Sequence, residues 1–265
     1  MRKVLAVAVV AAVLGTAGLV TRGQADAAPP MRALVPLYVL PPESDDAYSD
    51  WHRACDSSPA GSAIVANVLS GPGDTLNQNY LAAIQYCALA GQRVLGYVHT
   101  EWGRRSAELV HAEIDRWHGL YGSWISGVFV DEMATDIATA SYYRALYARA
   151  NERRAGALVV GNTGTASGTG WHLTQPAAAD ILVIFEGPAA SLGSFAAPEW
   201  VQQTPPEQLA ALVYETSRET VPAACDALRA LPVAWAHVTP ETLADNPWDR
   251  LPAPAYTNRV RNACR

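Results

Sequence analysis

The chain has 265 residues, a formal net charge of −6 at pH 7, and 50% hydrophobic against 17% charged residues, a globular balance. Its basic residues are almost all arginine, with Lys3 the sole lysine and no basic cluster beyond Arg104-Arg105 and Arg153-Arg154. An acidic chain without a basic face is a poor partner for nucleic acid and suits a neutral or cationic ligand better.

Met1-Arg2-Lys3 precede an apolar run from Val4 that continues in small residues to Val20, and Ala25-Asp26-Ala27 stands ahead of Ala28-Pro29-Pro30. A positive start, an apolar middle and a small-residue cleavage motif read as a secretory signal over residues 1–27. The mature chain is then 28–265, extracellular and without stable membrane association. No Cys follows the apolar run, so a lipoprotein anchor has no support. Roughly 240 residues suit one large α/β domain with a full core.

Along that domain, apolar runs bounded by turn signals predict strands near Ala33–Leu40, Ala63–Leu69, Arg93–His99, Ser126–Asp131, Ala157–Gly161, Ile181–Glu186, Ala211–Glu215 and Pro232–Val238. Between them, Leu76–Ala90 carries Tyr80, Ile84 and Cys87 at helical spacing, and Ala107–Leu120 carries Val110, Ile114 and Trp117. Gly91 and Gly156 fall where helix ends favour a left-handed residue, and Thr239-Pro240 reads as an N-cap followed by proline. The segments Gly164–Ala179 and Gly187–Gln203 lack helical patterns. Strands alternating with helices imply a parallel sheet, and eight such units in one domain predict a closed (β/α)8 barrel. An open doubly wound sheet is the competitor, but Leu40-Pro41-Pro42-Glu43 replaces the glycine-rich turn it would carry.

Two of the predicted strands end in acid. Ile125-Ser126-Gly127-Val128-Phe129-Val130 runs into Asp131-Glu132, and Ile181-Leu182-Val183-Ile184-Phe185 runs into Glu186. Active sites of parallel α/β folds collect at strand C-termini, and hydrolysis of a glycosidic bond needs one carboxylic acid and one carboxylate. Asp131, Glu132 and Glu186 are therefore the catalytic candidates. Burial against Phe185 would raise a carboxyl pKa toward that of a working acid. Alternation does not say which of Asp131 and Glu132 faces inward, because the preceding residues are apolar on both faces. Tyr38, Asn67, Tyr97, His99, Asn162, Tyr214, Glu215 and His237 lie at other strand ends, where they can hydrogen-bond sugar hydroxyls, with Glu215 a reserve acid. Trp102, Trp171 and Trp200 fall in loops on the same side and can stack on sugar rings.

Other chemistries find less support. His111 and His118 lie seven apart on one helix, without zinc-site spacing, and no G-x-S-x-G elbow occurs. Ser70-Gly71-Pro72-Gly73 lacks the lysine of a phosphate loop and reads as a turn. Cys55, Cys87, Cys225 and Cys264 show no CxxC pattern. In an exported chain they pair, and of three connectivities Cys55–Cys87 and Cys225–Cys264 join helices that neighbour each other in the layout.

Several segments together resemble the spherulation-specific family 4, the spherulin-4-like proteins: Val35-Pro36-Leu37-Tyr38, Asn67 with Ser70-Gly71-Pro72-Gly73, Gly96-Tyr97-Val98-His99-Thr100, Gly127-Val128-Phe129-Val130-Asp131-Glu132 and, beyond them, Phe185-Glu186. The resemblance implies a (β/α)8 barrel and endo-acting hydrolysis of α-1,4-linked galactosamine or N-acetylgalactosamine polymers, with catalytic carboxylates matching Asp131, Glu132 and Glu186. Val68 and Thr163 stand where similar sequences carry proline, and Trp102 where a tyrosine is usual. The resulting expectation is a secreted, monomeric glycoside hydrolase acting on polysaccharide without metal or organic cofactor. Asp131 would be nucleophile or base, Glu186 the acid and Glu132 a positioning or charge-tuning partner, the first two roles being exchangeable. The alternative is a carbohydrate-binding or envelope-associated barrel without turnover.

Overall fold

The structure, a computed structural model, describes residues 31–43 and 49–264; the predicted leader, 1–27, lies outside them. In chain order come β1 (Arg32–Leu37), α1 (Asp50–Ser57), β2 (Ala63–Ala66), α2 (Gln78–Leu89), β3 (Arg93–His99), α3 (Ala107–Tyr121), β4 (Ile125–Asp131) and α4 (Ala140–Arg153). They are followed by β5 (Leu158–Asn162), β6 (Ile181–Pro188), α5 (Ala189–Leu192), α6 (Glu199–Gln203), β7 (Leu209–Tyr214), α7 (Val221–Arg229), β8 (Trp235–Val238) and α8 (Pro254–Ala263). Every strand pairs in parallel with the next, and β8 pairs with β1, closing the barrel. The (β/α)8 expectation holds, with one gap: β5 and β6 are joined by a long loop holding only a short turn at Trp171–Leu173.

The sequence builds these elements by familiar means. α2 starts where the Asn77 side chain accepts from the backbone N–H of Asn79 and Tyr80, and α3 where Ser106 accepts from Leu109. The predicted faces are the buried ones: Tyr80, Ile84 and Cys87 on α2, and Val110, Ile114 and Trp117 on α3. Gly91, at φ 85°, takes the left-handed position after α2. Thr239-Pro240 departs from expectation, because no helix starts there. Thr239 instead extends the ladder of β7 and β8, its N–H donating to Val213 and its carbonyl accepting from Thr216, while its hydroxyl closes a local turn with Glu241.

Strands covered on both faces must be apolar on both faces. Leu34, Val65, Leu95, Phe129, Val160, Val183, Leu212 and Trp235, one from each strand, fill the barrel interior. The alternate residues, including Val35, Ile64, Val128 and Ile184, pack outward against the helices.

Two irregularities interrupt this alternation. Against β3, Leu95 follows Val94 but pairs with Gly127 rather than Ser126, so β4 carries one extra residue. Against β7, Phe185 follows Val183 with Ile184 skipped. Each bulge inverts the inward–outward parity of everything beyond it.

Both predicted disulfides are present, Cys55–Cys87 tying α1 to α2 and Cys225–Cys264 tying α7 to the end of α8. Closing loops of 32 and 39 residues restricts the unfolded chain. Replacing either pair by alanine should lower stability by about 2–4 kcal/mol, seen as a fall in Tm. A Tm unmoved by reductant would show that the bridges do not stabilise the protein.

Candidate active site

The bulges decide which acids face the barrel mouth. Ile125 packs outward, so regular alternation would send Asp131 outward too; the extra residue at Ser126 turns Phe129 and then Asp131 inward. On β6, Ile184 and Phe185 both pack outward in succession, which brings Glu186 inward. Both acid-bearing strands thus use a one-residue insertion to aim a carboxylate at the same point of the barrel mouth.

There the two acids meet across one amide. Asn162, at the end of β5 between them, donates through Nδ2 to Asp131 Oδ1 at 2.8 Å and to Glu186 Oε2 at 2.7 Å. Its Oδ1 accepts from Gly164 N–H at 3.0 Å, which fixes the amide orientation and leaves both N–H bonds for the acids. Gly164, at φ 63°, in turn accepts from Glu186 N–H at 3.0 Å. The second Asp131 oxygen accepts from the Tyr97 hydroxyl at 2.8 Å.

The electrostatics follow from burial. Glu186 is held above the ordinary glutamate range by desolvation first, with the hydrogen bond from Asn162 opposing, the charge of Asp131 adding and Trp248 opposing. Burial, then the charge of Asp131, pushes the Tyr97 phenol well above its usual value, so it donates throughout the working range of pH. Tyr38 is raised in the same way, burial first and Asp131 second. Its ring meets that of Tyr97 edge-on at 5.4 Å. His237 is pushed down to about 4 by burial and is therefore a neutral wall of the site at pH 7.

The remaining predicted residues divide. The His99 ring lies 6.3 Å from that of Tyr97, and its Nδ1 has no hydrogen-bond partner among the described residues. Glu132 does not share the Asn162 amide with Asp131 and Glu186, although its charge acts on the Tyr97 phenol. It adopts φ 52°, a left-handed conformation that costs a non-glycine residue about 1–2 kcal/mol, and its carboxylate accepts from Glu101 N–H at 3.1 Å. Asn67 spends its side-chain oxygen on Gly71 N–H, closing the predicted turn after β2. Glu215 is exposed just past β7, with its N–H on the Glu241 carbonyl.

Of the three loop tryptophans, Trp102 alone presents its ring to solvent, 54% exposed and beneath the Arg104 guanidinium. Trp171 is buried and donates to the Thr135 carbonyl, so it packs rather than stacks on ligand. Trp200 is likewise half-buried, its ring pressed on Gly170.

Trp248 is the site residue that sequence reasoning missed. It lies beyond β8, its ring edge-on to Tyr214 and His237 at 6.3 and 5.8 Å, and its carbonyl accepts from Tyr38 N–H at 2.8 Å. No periodicity marks Asn246-Pro247-Trp248; only its position in the loop after the last strand could have pointed to it. Among the described residues no group of three or more His, Cys, Asp or Glu is disposed to hold a metal ion.

A closed parallel barrel with two inward carboxylates sharing one amide at its C-terminal face defines the class: a (β/α)8 barrel that gathers its acids at the end where such folds place their sites. More particularly, the chain belongs to the spherulation-specific family 4, whose model matches residues 32–262. It is 30% identical over 179 residues to Spherulin-4 of Physarum polycephalum, a match covering 66% of this chain and 50% of that protein, so the chain spans about half the length of its curated relative. Among solved structures it is similar to Sph3 of Aspergillus clavatus in complex with GalNAc, with a TM-score of 0.73 at 21% identity, covering 90% of this chain and 99% of the other. A cyclic α-maltosyl-(1→6)-maltose hydrolase from Arthrobacter globiformis superposes with a TM-score of 0.50 at 11% identity, covering 80% and 71%. Both likenesses show the barrel fold.

Proposed function

We propose that this protein is a secreted, monomeric glycoside hydrolase that cleaves internal α-1,4 linkages of galactosamine- or N-acetylgalactosamine-containing polysaccharide, using two carboxylates and neither metal nor organic cofactor. The observation that carries the reading is the Asn162 bridge. Two acceptor oxygens at 2.8 and 2.7 Å from one nitrogen cannot be farther apart than about 5.5 Å. That bound applies to the nearest oxygen pair and fits the about 5–5.5 Å of a retaining pair, in which one carboxylate attacks directly.

In this mechanism Asp131, oriented by Tyr97 and Asn162, attacks the anomeric carbon. Glu186, whose pKa burial raises toward that of a working acid, protonates the departing oxygen. It then deprotonates the water that releases the glycosyl intermediate. Glu132 tunes the local charge from beside Asp131. Tyr38, His99 and Asn162 line the reacting sugar, while Asn67, Trp102 and Glu215 lie farther out along the polymer. Family membership and the GalNAc bound to Sph3 support the amino-sugar assignment. The two disulfides fit an oxidising compartment.

The test is oligosaccharide release, by mass spectrometry, from α-1,4-linked galactosamine/N-acetylgalactosamine polymer, with NMR of the first-formed anomer. Internal fragments of α configuration are expected. A first product of β configuration would refute the retaining mechanism, and absence of any release would turn the reading toward a binding protein.

A further inference from the structure

The left-handed turn at Glu132 is held by a chain of hydroxyls that the proposed catalytic steps do not use. Ala134 N–H donates to the Tyr143 hydroxyl at 2.8 Å. That hydroxyl lies 3.0 Å from the Thr100 hydroxyl, and Thr100 Oγ1 lies 2.8 Å from the Glu132 carbonyl. Both side chains are fully buried, Thr100 at the end of β3 and Tyr143 on α4.

Only one direction of donation satisfies the whole chain. An N–H at one end can only donate and a carbonyl at the other can only accept, so Tyr143 donates to Thr100 and Thr100 to Glu132. Each bond polarises the next. Trp102 N–H adds a second bond to the same carbonyl at 2.8 Å, and Thr100 N–H bonds the Asp131 carbonyl at 3.2 Å. The backbone that leaves Asp131, from its own carbonyl to Ala134, is thereby tied to the loop after β3 and to α4.

We propose that Thr100 and Tyr143 are positioning residues, which hold the Asp131–Glu132 turn so that the Asp131 carboxylate meets Glu186 across Asn162. The consequence for turnover rests on the proposed function, in which Asp131 reacts. A displacement of the order of 1 Å at a reacting group costs roughly 100-fold in rate, so a turn that relaxes should lower kcat far more than it alters binding.

The experiment compares Thr100→Val, Thr100→Ser and Tyr143→Phe. Tyr142→Phe is the control, because the Tyr142 ring packs edge-on against Tyr143 at 4.9 Å and its buried hydroxyl has no partner among the described residues. Thr100→Val and Tyr143→Phe should each lower kcat by about 10–100-fold with KM within about twofold. Thr100→Ser, which keeps the hydroxyl, should stay within about threefold of wild type, and Tyr142→Phe should match it. The double variant should be no worse than the weaker single, since one chain is broken once. Wild-type kcat in Thr100→Val, or a loss that Thr100→Ser does not restore, overturns the proposal. Should Thr100→Val not fold, Tyr143→Phe against Tyr142→Phe decides alone.

A second readout separates this from the functional reading. If wild type releases no oligosaccharide, that reading fails, and the turn is followed by the 13C shift of the Asp131 carboxyl in labelled protein. The resonance should move in Tyr143→Phe and stay in Tyr142→Phe; an unmoved resonance overturns the positioning role whatever the activity.

Discussion

Asp131→Asn should abolish oligosaccharide release, by about 10³-fold or more, and Glu186→Gln should lower it by about 10²–10⁴-fold, both without loss of fold. Asp131→Asn leaves the size of the side chain and its place between Tyr97 and Asn162, but removes the charge that attacks in the proposed mechanism. Glu186→Gln keeps a hydrogen-bonding group against Asn162 but has no proton to give. The measurement is initial rate on polymer alongside circular dichroism; full activity in both variants would place the chemistry elsewhere.

The raised pKa of Glu186 adds a signature that simple loss of activity does not. As general acid it must be protonated, so kcat/KM of the wild type should fall as pH rises through that raised value, and Glu186→Gln should lack this basic limb. The stability consequence has a definite sign. A folded pKa above the unfolded one means the native state binds the extra proton. The associated stability is complete below the unfolded value, near 4.3, and is lost as pH rises through the folded value. Glu186→Gln should therefore raise Tm relative to wild type near pH 7, with the difference vanishing below about pH 4. Burial of this acid is a cost to stability that the variant removes.

Much of this site was legible in the chain, and what was not has a common cause. The βα period, the acid-terminated strands and the helix faces joined by disulfides are local patterns. The inward aim of Asp131 and Glu186 depends on bulges at Ser126 and Ile184, and in strands apolar on both faces an extra residue leaves no trace in the hydrophobic pattern. Trp171 left two uses open, stacking on a sugar or local packing, as a loop aromatic does; its bond to Thr135, 36 residues away, goes with packing. The Thr100–Tyr143 pair likewise spans 43 residues and two elements. Thr239 favoured a cap by local preference, yet the ladder with β7 took it.

Gly127→Ala should be the most damaging single methyl group that can be added to this barrel, destabilising it by about 3 kcal/mol or more and yielding insoluble protein. Gly127 pairs with Leu158 on β5 immediately after the bulge in β4. A Cβ there would overlap the Leu158 carbonyl oxygen and lie 2.6 Å from its nitrogen. Both are main-chain atoms of an interior strand, with no rotamer by which to yield. Torsion is not the obstacle, since φ at Gly127 is not positive; the obstacle is the close approach of two backbones, which the bulge brings about. Gly119→Ala supplies the contrast. It is exposed within α3, with no described atom beyond its chain neighbours and own helix backbone within 4 Å of an added Cβ, and Gly119→Ala should gain about 0.5–1 kcal/mol from helix propensity. Opposite shifts in Tm from the same added methyl would tie the damage to the β4–β5 contact. A wild-type Tm in Gly127→Ala would mean that these strands do not approach so closely, and with that contact would go the geometry that turns Asp131 inward.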